Sequence, residues 1–236
     1  MSVFLSVIII LLAMLIQAFL QTSPGLFAIF YHHALGKTSA KKADDEALSF
    51  ILGTEIFTAI TFLIIYIIID FIAAEKITKN NIFTAILAGI FIAEAIIVFC
   101  FYYRKDKQKS QKSTRLFLPR HIVKNLTTRA EKVKNRSDTI ALGLVTSSLE
   151  FLFTLPLYII ISTEILDLSP RYGFVYIIAY IVITTVPLFV VRTAFKTDHN
   201  LAEIQRFRVK KKTTIKLILS ISYLLIGILI ILKGCL

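Results

Sequence analysis

ALSFILGTEIFTAITFLIIYIIIDFI, residues 47–72, decides what kind of protein this is. Between Ala47 and Asp70 it holds one charged side chain, Glu55. Crossing the roughly 30 Å hydrocarbon core of a bilayer takes about 20 apolar residues as a helix, so this stretch predicts a transmembrane helix. Five further stretches read the same way: 2–21, 81–103, 139–163, 171–195 and 215–233. A bilayer leaves no water for unpaired backbone groups, so each is expected to be helical. The apolar runs are too long for a transmembrane barrel, whose strands alternate in polarity over about ten residues. The expected fold is therefore all-α, a polytopic membrane protein of six transmembrane helices.

Composition agrees. Across 236 residues, 56% are apolar and the formal charge is +12, with a mean hydropathy of +0.77. Apolar and basic excess coexist when the first faces lipid and the second faces the cytoplasm. The N-terminus has no basic residue before its apolar run and no A-x-A site, which favours a retained helix over a cleaved signal peptide.

The basic residues set an orientation. Between the third and fourth segments stand Arg104, Lys105, Lys107, Lys109, Lys112, Arg115, Arg120, Lys124, Arg129, Lys132, Lys134 and Arg136. Lys196, Arg206, Arg208, Lys210, Lys211, Lys212 and Lys216 lie between the fifth and sixth, and Lys37, Lys41 and Lys42 follow the first. The alternate connections carry only Lys76, Lys79 and Arg171. The positive-inside rule places the basic loops in the cytoplasm and both termini outside. The loops are read as resting on anionic lipid headgroups. No nucleic-acid motif accompanies them, so nucleic acid is not an expected partner. NLTT and NRS, at Asn125 and Asn135, fall in that cytoplasmic loop and are read as chance sequons. The chain divides into a three-helix half (1–103), a basic loop (104–138) and a second three-helix half (139–236). Three helices per half would make any repeat an inverted one. The expected location is the plasma membrane of a bacterium or archaeon.

Three carboxylates fall within predicted spans: Glu55, Glu94 and Glu150. Counted from the cytoplasmic ends at about 1.5 Å per residue, all three lie some 12–18 Å deep, in one slab. A carboxylate facing lipid costs several kcal/mol, so each is expected to face the bundle interior or water. No Lys or Arg lies in the middle of a span to pair with them. A proton, a cation, hydroxyls or backbone groups must neutralise them. The functional reading is a substrate or proton site, with Glu150 leading and Glu55 second. The plainer reading is a protonated glutamate bonded to a neighbouring helix. For Glu94, the small residues Ala88, Gly89, Ala93 and Ala95 point to close helix packing.

Prolines mark candidate breaks. TSPGLFAIFYHHALGK (22–37) extends the first apolar run through Pro24-Gly25, which stops the helix or breaks it near a solute site. His32 and His33 follow. Neighbours on a helix point about 100° apart, so a shared metal is set against a polar cap at the surface. Pro156 sits six residues after Glu150. Pro187 follows Thr184 and Thr185, whose hydroxyls could satisfy carbonyls that a kink frees. TEIFTAITFLIIYIIID (54–70) and LEFLFTLPLYIIISTE (149–164) also echo one another, in a register that does not fit the three-plus-three division.

LQTSPG (20–25) and ALGLVTSSLEFLFTLPLY (141–158) carry a family resemblance. The chain resembles the lysine-exporter superfamily, which includes small-molecule and cadmium exporters and the thiol–disulfide electron carriers of the DsbD and CcdA type. The fourth-helix motif of the carriers is approximated by Gly143, Glu150, Thr154, Pro156 and Tyr158. The resemblance implies six helices with both ends outside. It does not imply redox chemistry, because Gly25 and Phe153 stand where the carriers have cysteines. Cys100 and Cys235 fall at opposite ends of the bundle, too far apart to pair. The expected function is secondary transport, the export of a small solute or cation through a midplane carboxylate site, with no cofactor. The reading leaves a homo-oligomer open. The rival is a non-transporting accessory protein for envelope lipid export or membrane-complex assembly. No HExxH, GxSxG or related constellation points to an enzyme.

Overall fold

The computed structural model describes residues 2–20, 39–74, 81–101, 135–168, 173–196 and 212–234. These form six helices: α1 (Ser2–Leu20), α2 (Ala40–Ala74), α3 (Asn81–Phe101), α4 (Arg136–Leu168), α5 (Gly173–Lys196) and α6 (Lys212–Gly234). Each predicted segment is one helix, and no strand occurs among the described residues. Four spans, Lys41–Ala73, Asn81–Cys100, Gly173–Thr193 and Leu217–Gly234, are long and apolar enough to cross a membrane. A bent α4, taken as one span, makes five, and the apolar stretch Val3–Ala18 of α1 is shorter. Isoleucine, leucine, valine and phenylalanine crowd the outward faces, as in Ile67, Phe71, Ile86, Val182 and Leu232. Lipid-facing helices present this pattern.

Two helices begin earlier than their apolar runs. Ser39 opens α2, its Oγ accepting from the Lys42 amide at 3.4 Å. Asn135 opens α4, where the Asp138 carboxylate reaches back to accept from the Asn135 amide at 3.3 Å. This is the returning half of a capping box, and it fixes the start before hydropathy would. α2 thus gains a charged start, with Lys41 and Lys42 in its first turn and Asp44, Asp45 and Glu46 just after it.

The charged start of α2 ties one end of the bundle together. Arg192 of α5 donates twice to Asp44, at 2.7 and 2.9 Å, and Arg136 of α4 donates to Asp45 at 3.0 Å. At the other end, Lys233 of α6 bridges Glu164 and Asp167 of α4. Gly173 there lies against Tyr66 of α2, and Gly234 against Thr84 of α3. Helices α2, α4 and α6 therefore run one way, and α3 and α5 the other.

The main pairings join helices distant in sequence. α2 lies along α4, and α3 along α6; α1 packs on α4, α5 and α6, and α2 also on α5. The α2–α4 contact is backbone against backbone. Gly53 abuts the Ile140 carbonyl, and Gly143 abuts the Phe50 carbonyl. Each glycine thus meets the carbonyl three residues before the other. In lipid, where apolar burial gives no drive to associate, such close approach is a main source of helix affinity. The α3–α6 pair uses Gly227, set against Ile92 and the Ala88 carbonyl, and Ser220, which donates to the Ala95 carbonyl at 2.9 Å.

The stripe around Glu94 is a partial correction. Ala88 and Ala95 do face α6, but Gly89 has nothing within 4 Å and Ala93 is exposed. Four small residues within eight positions cannot all share one helical face.

Candidate functional site

The two prolines inside helices behave differently. Helix α4 bends by 78° between Arg136–Phe151 and Phe153–Leu168. The pivot, Leu152, is four residues before Pro156. A helical proline removes the hydrogen bond to that carbonyl and its ring collides with it, so the bend falls where the chemistry requires. The neighbouring Phe153 carbonyl accepts from the Tyr223 hydroxyl of α6 at 3.2 Å. Thr154 returns its hydroxyl to the Phe151 carbonyl at 3.3 Å. Pro187 lies within the single span Gly173–Thr193. Thr184 donates to the Tyr180 carbonyl at 3.0 Å, and Thr185 to the Ile181 carbonyl at 2.5 Å. The expectation that these hydroxyls serve the carbonyl freed by Pro187 is corrected: that carbonyl belongs to Ile183, half a turn further on.

Around the α4 bend the interior is polar and aromatic. Phe62 of α2 stacks on Tyr158 of α4 with ring centroids 5.6 Å apart, and meets Tyr180 of α5 in a tilted contact at 4.6 Å. Tyr158 and Tyr180 meet edge to face at 5.9 Å. Thr58 and Thr154 flank the Tyr158 hydroxyl, and the carboxyl groups of Glu150 and Glu55 both bear on it. The structure thus brings Glu55 and Glu150 to one cluster, from α2 and α4.

Glu55 is the unusual member. Both of its carboxylate oxygens are buried without a hydrogen-bond partner. The Thr185 hydroxyl lies beside the Glu55 carboxyl and donates to the Ile181 carbonyl at 2.5 Å. Tyr180 is wholly buried, with its hydroxyl near that of Tyr158 and outside good hydrogen-bond geometry. Thr54 and Ser147, both more than nine-tenths buried, also hold unpartnered hydroxyls. Buried polar groups are nearly always paired, so a concentration of unpaired ones on α2, α4 and α5 calls for something to satisfy them.

Glu94 does not join the cluster. It lies on α3, with Oε2 buried and unpartnered, and no ionisable group among the described residues bears on it. Pro24, Gly25, His32 and His33 lie outside the described residues. Among the described residues, no group of three or more His, Cys, Asp or Glu could hold a metal. Cys100 is a free, exposed thiol.

Sequence reasoning set Thr54 and Ser147 beside Glu55 and Glu150 but passed over Gln17, Tyr180 and Tyr223. Gln17 of α1 is buried, and its Oε1 has no partner. The signal was there: Gln17 precedes Pro24 by seven residues, as Glu150 precedes Pro156 by six. Replacing Tyr223 with phenylalanine should cost about 1 kcal/mol, the usual worth of one interhelical hydrogen bond. The check is a modest fall in the melting temperature of the purified protein, with the α3–α6 pair retained.

No protein-family model matches the chain, and no curated protein or solved structure shows significant similarity to it.

Proposed function

We propose that the protein is a multi-pass membrane transporter that moves a small solute or cation, in the outward direction, through the Glu55–Glu150 cluster. The observation that carries this reading is the Glu55 carboxyl, buried in an apolar span with neither oxygen hydrogen-bonded. A static structural role would have provided a partner, because such a group is expensive left alone. A site that binds and releases its ligand leaves the group unsatisfied between visits.

The helix pairings support the rest of the reading. An inverted repeat would relate α1–α3 to α4–α6. That operation maps the α2–α4 pair onto α5–α1, and α1–α6 onto α4–α3. It returns α1–α4, α2–α5 and α3–α6 to themselves. All of these pairings occur, whereas α4–α5, whose counterpart would be α1–α2, is slight. Six spans, both termini outside, the basic loop 104–138 in the cytoplasm and the likeness to the lysine-exporter superfamily belong to the same proposal. Alternating access would rock the halves about the cluster, with the α4 bend as a hinge.

The test is electrical. Proteoliposomes on a solid-supported membrane are challenged with amino acids, metal ions and pH jumps, with a pH dye inside to catch electroneutral exchange. Glu55→Gln and Glu150→Gln should each lower the substrate-dependent signal by about tenfold or more while gel filtration shows a folded protein. A full signal from folded Glu55→Gln overturns the site. Silence from the wild type across the panel favours the accessory reading, in which replacing Lys210, Lys211 and Lys212 destroys function and Glu55→Gln does not.

A further inference from the structure

We infer that the end of α5 beyond Pro187, latched to α2 by Arg192 and Asp44, is the gate that opens the Glu55–Glu150 cluster to the cytoplasmic side. The inference rests on the reading of that cluster as a transport site and on the orientation given with it. Three features carry it: an ion pair closing the α2–α5 seam, a buried apolar layer under that pair, and a proline between the layer and the cluster.

Arg192 grips Asp44 through Nε at 2.7 Å and a terminal nitrogen at 2.9 Å. Such a two-point fork is strong and directional. Asp44 stands about 16 Å along α2 before Glu55, and Arg192 about 10 Å along α5 beyond Thr185. Asp44, Ile51, Glu55 and Phe62 recur on one stripe of α2, and Arg192, Leu188 and Thr185 on one stripe of α5. Between the ion pair and the cluster, Ala47 and Ile51 on α2 and Leu188 and Val191 on α5 are at most 4% exposed. On the far side of the cluster, Phe62 meets Tyr180. The seam is thus closed by aromatic rings at one end, and at the other by an apolar layer under an ion pair.

This second closure stands on a weakened helix. Pro187 has no N–H for the Ile183 carbonyl, so α5 lacks one backbone bond just before Leu188. Thr184 and Thr185 return their hydroxyls to the Tyr180 and Ile181 carbonyls, a back-bonding that loosens and bends helices. The last turns of α5, with Leu188, Val191 and Arg192, can therefore swing as a unit about Pro187. The ion pair suits a latch. The Arg192 and Asp44 side chains are 15% and 19% exposed, so water takes over both charges when they part. At the opposite end Glu164 is 3% exposed, and releasing Lys233 would strand its charge. The Lys233 end holds, and the Arg192 end lets go.

The experiment measures water access to the cluster. Thr58, 1% exposed and beside the Tyr158 hydroxyl, takes a reporter thiol as Thr58→Cys in the full chain, with Cys100 and Cys235 changed to serine. Nanodiscs leave both faces open to a charged, water-soluble methanethiosulfonate. Labelling should be slow, and Asp44→Asn or Arg192→Gln should each speed it by about tenfold or more. Adding Pro187→Ala, which restores the missing donor in α5, should return it to the slow rate. Ser162→Cys, at a wholly buried position towards the Lys233 end, should stay unlabelled throughout. Fast labelling of Thr58→Cys with the latch intact overturns the inference, as does no acceleration in the latch variants. Acceleration that survives Pro187→Ala overturns the hinge. Acceleration at Ser162→Cys as well makes the ion pair a general brace and overturns the gate. Aggregation of both latch variants on gel filtration does the same, since a gate opens without unfolding. The transport reading fails separately: the expected labelling, with no flux in the electrical assay, keeps the gate and removes that reading.

Discussion

Replacing Gly143 with leucine is expected to abolish the folded protein. The side chain would enter the Phe50 carbonyl and the backbone of Gly53 and Thr54, none of which can rotate away. Overpacking a core that can relax costs about 1–3 kcal/mol, and a backbone obstacle on a partner helix sets the cost above that range. Even alanine is expected to destabilise at Gly143 and at Gly53. Elsewhere in a helix that exchange stabilises by about 1 kcal/mol, so the sign of the effect reports the contact. Gly89→Leu is the control, because an added Cβ there meets nothing within 4 Å. Fluorescence-detected gel filtration after mild solubilisation checks all four. Gly143→Leu should give aggregate, the two alanine variants a reduced monodisperse peak, and Gly89→Leu a peak like the wild type. A wild-type peak from Gly143→Leu would mean that α2 and α4 do not cross at these glycines. The same helix pair carries Glu55 and Glu150, which both bear on Tyr158, so its loss dismantles the candidate site as well.

That crossing shows where sequence reading stops. All six helices were legible, because apolar runs of such length have few alternatives in a bilayer. The starts of α2 and α4 were not. They depend on the Ser39 and Asn135 caps, which lie in polar sequence where hydropathy is silent. Glu55 and Glu150 stood out because charge is conspicuous among aliphatic residues. Glu94 stood out equally and lies elsewhere, since depth along a helix says nothing of which neighbour it faces. Tyr158, Tyr180 and Phe62 come from three helices, and only the pairing of those helices makes them a cluster. The echo between residues 54–70 and 149–164 also takes on a physical sense. The two stretches lie side by side on the parallel helices α2 and α4, with Phe57 against Phe151 at 6.3 Å and Phe62 against Tyr158 at 5.6 Å. Similar sequences here meet across one interface.

Lys233→Met is the second substitution expected to have a large effect, at the far end of the bundle. The Lys233 Nζ lies 2.6 Å from Glu164 and 2.7 Å from Asp167. The three side chains are not equivalent: Glu164 is 3% exposed, Lys233 18% and Asp167 39%. Removing the lysine leaves Glu164 buried without a counterion, the situation that costs about 3–5 kcal/mol in measured buried pairs. Asp167 keeps its contact with water, so Asp167→Asn should cost about 1 kcal/mol or less. Lys233→Met combined with Glu164→Leu should recover most of the loss, because no buried charge is then stranded and an apolar pair fills the same space. The three melting temperatures therefore separate two accounts of this end of the molecule. If the bridge matters through its buried member, the double variant is more stable than Lys233→Met alone. If it matters only as an attachment of α6 to α4, the double variant is no better than the single one. The geometry supports the first account, since the lysine reaches inward to a carboxylate that the sequence would have assigned to a loop.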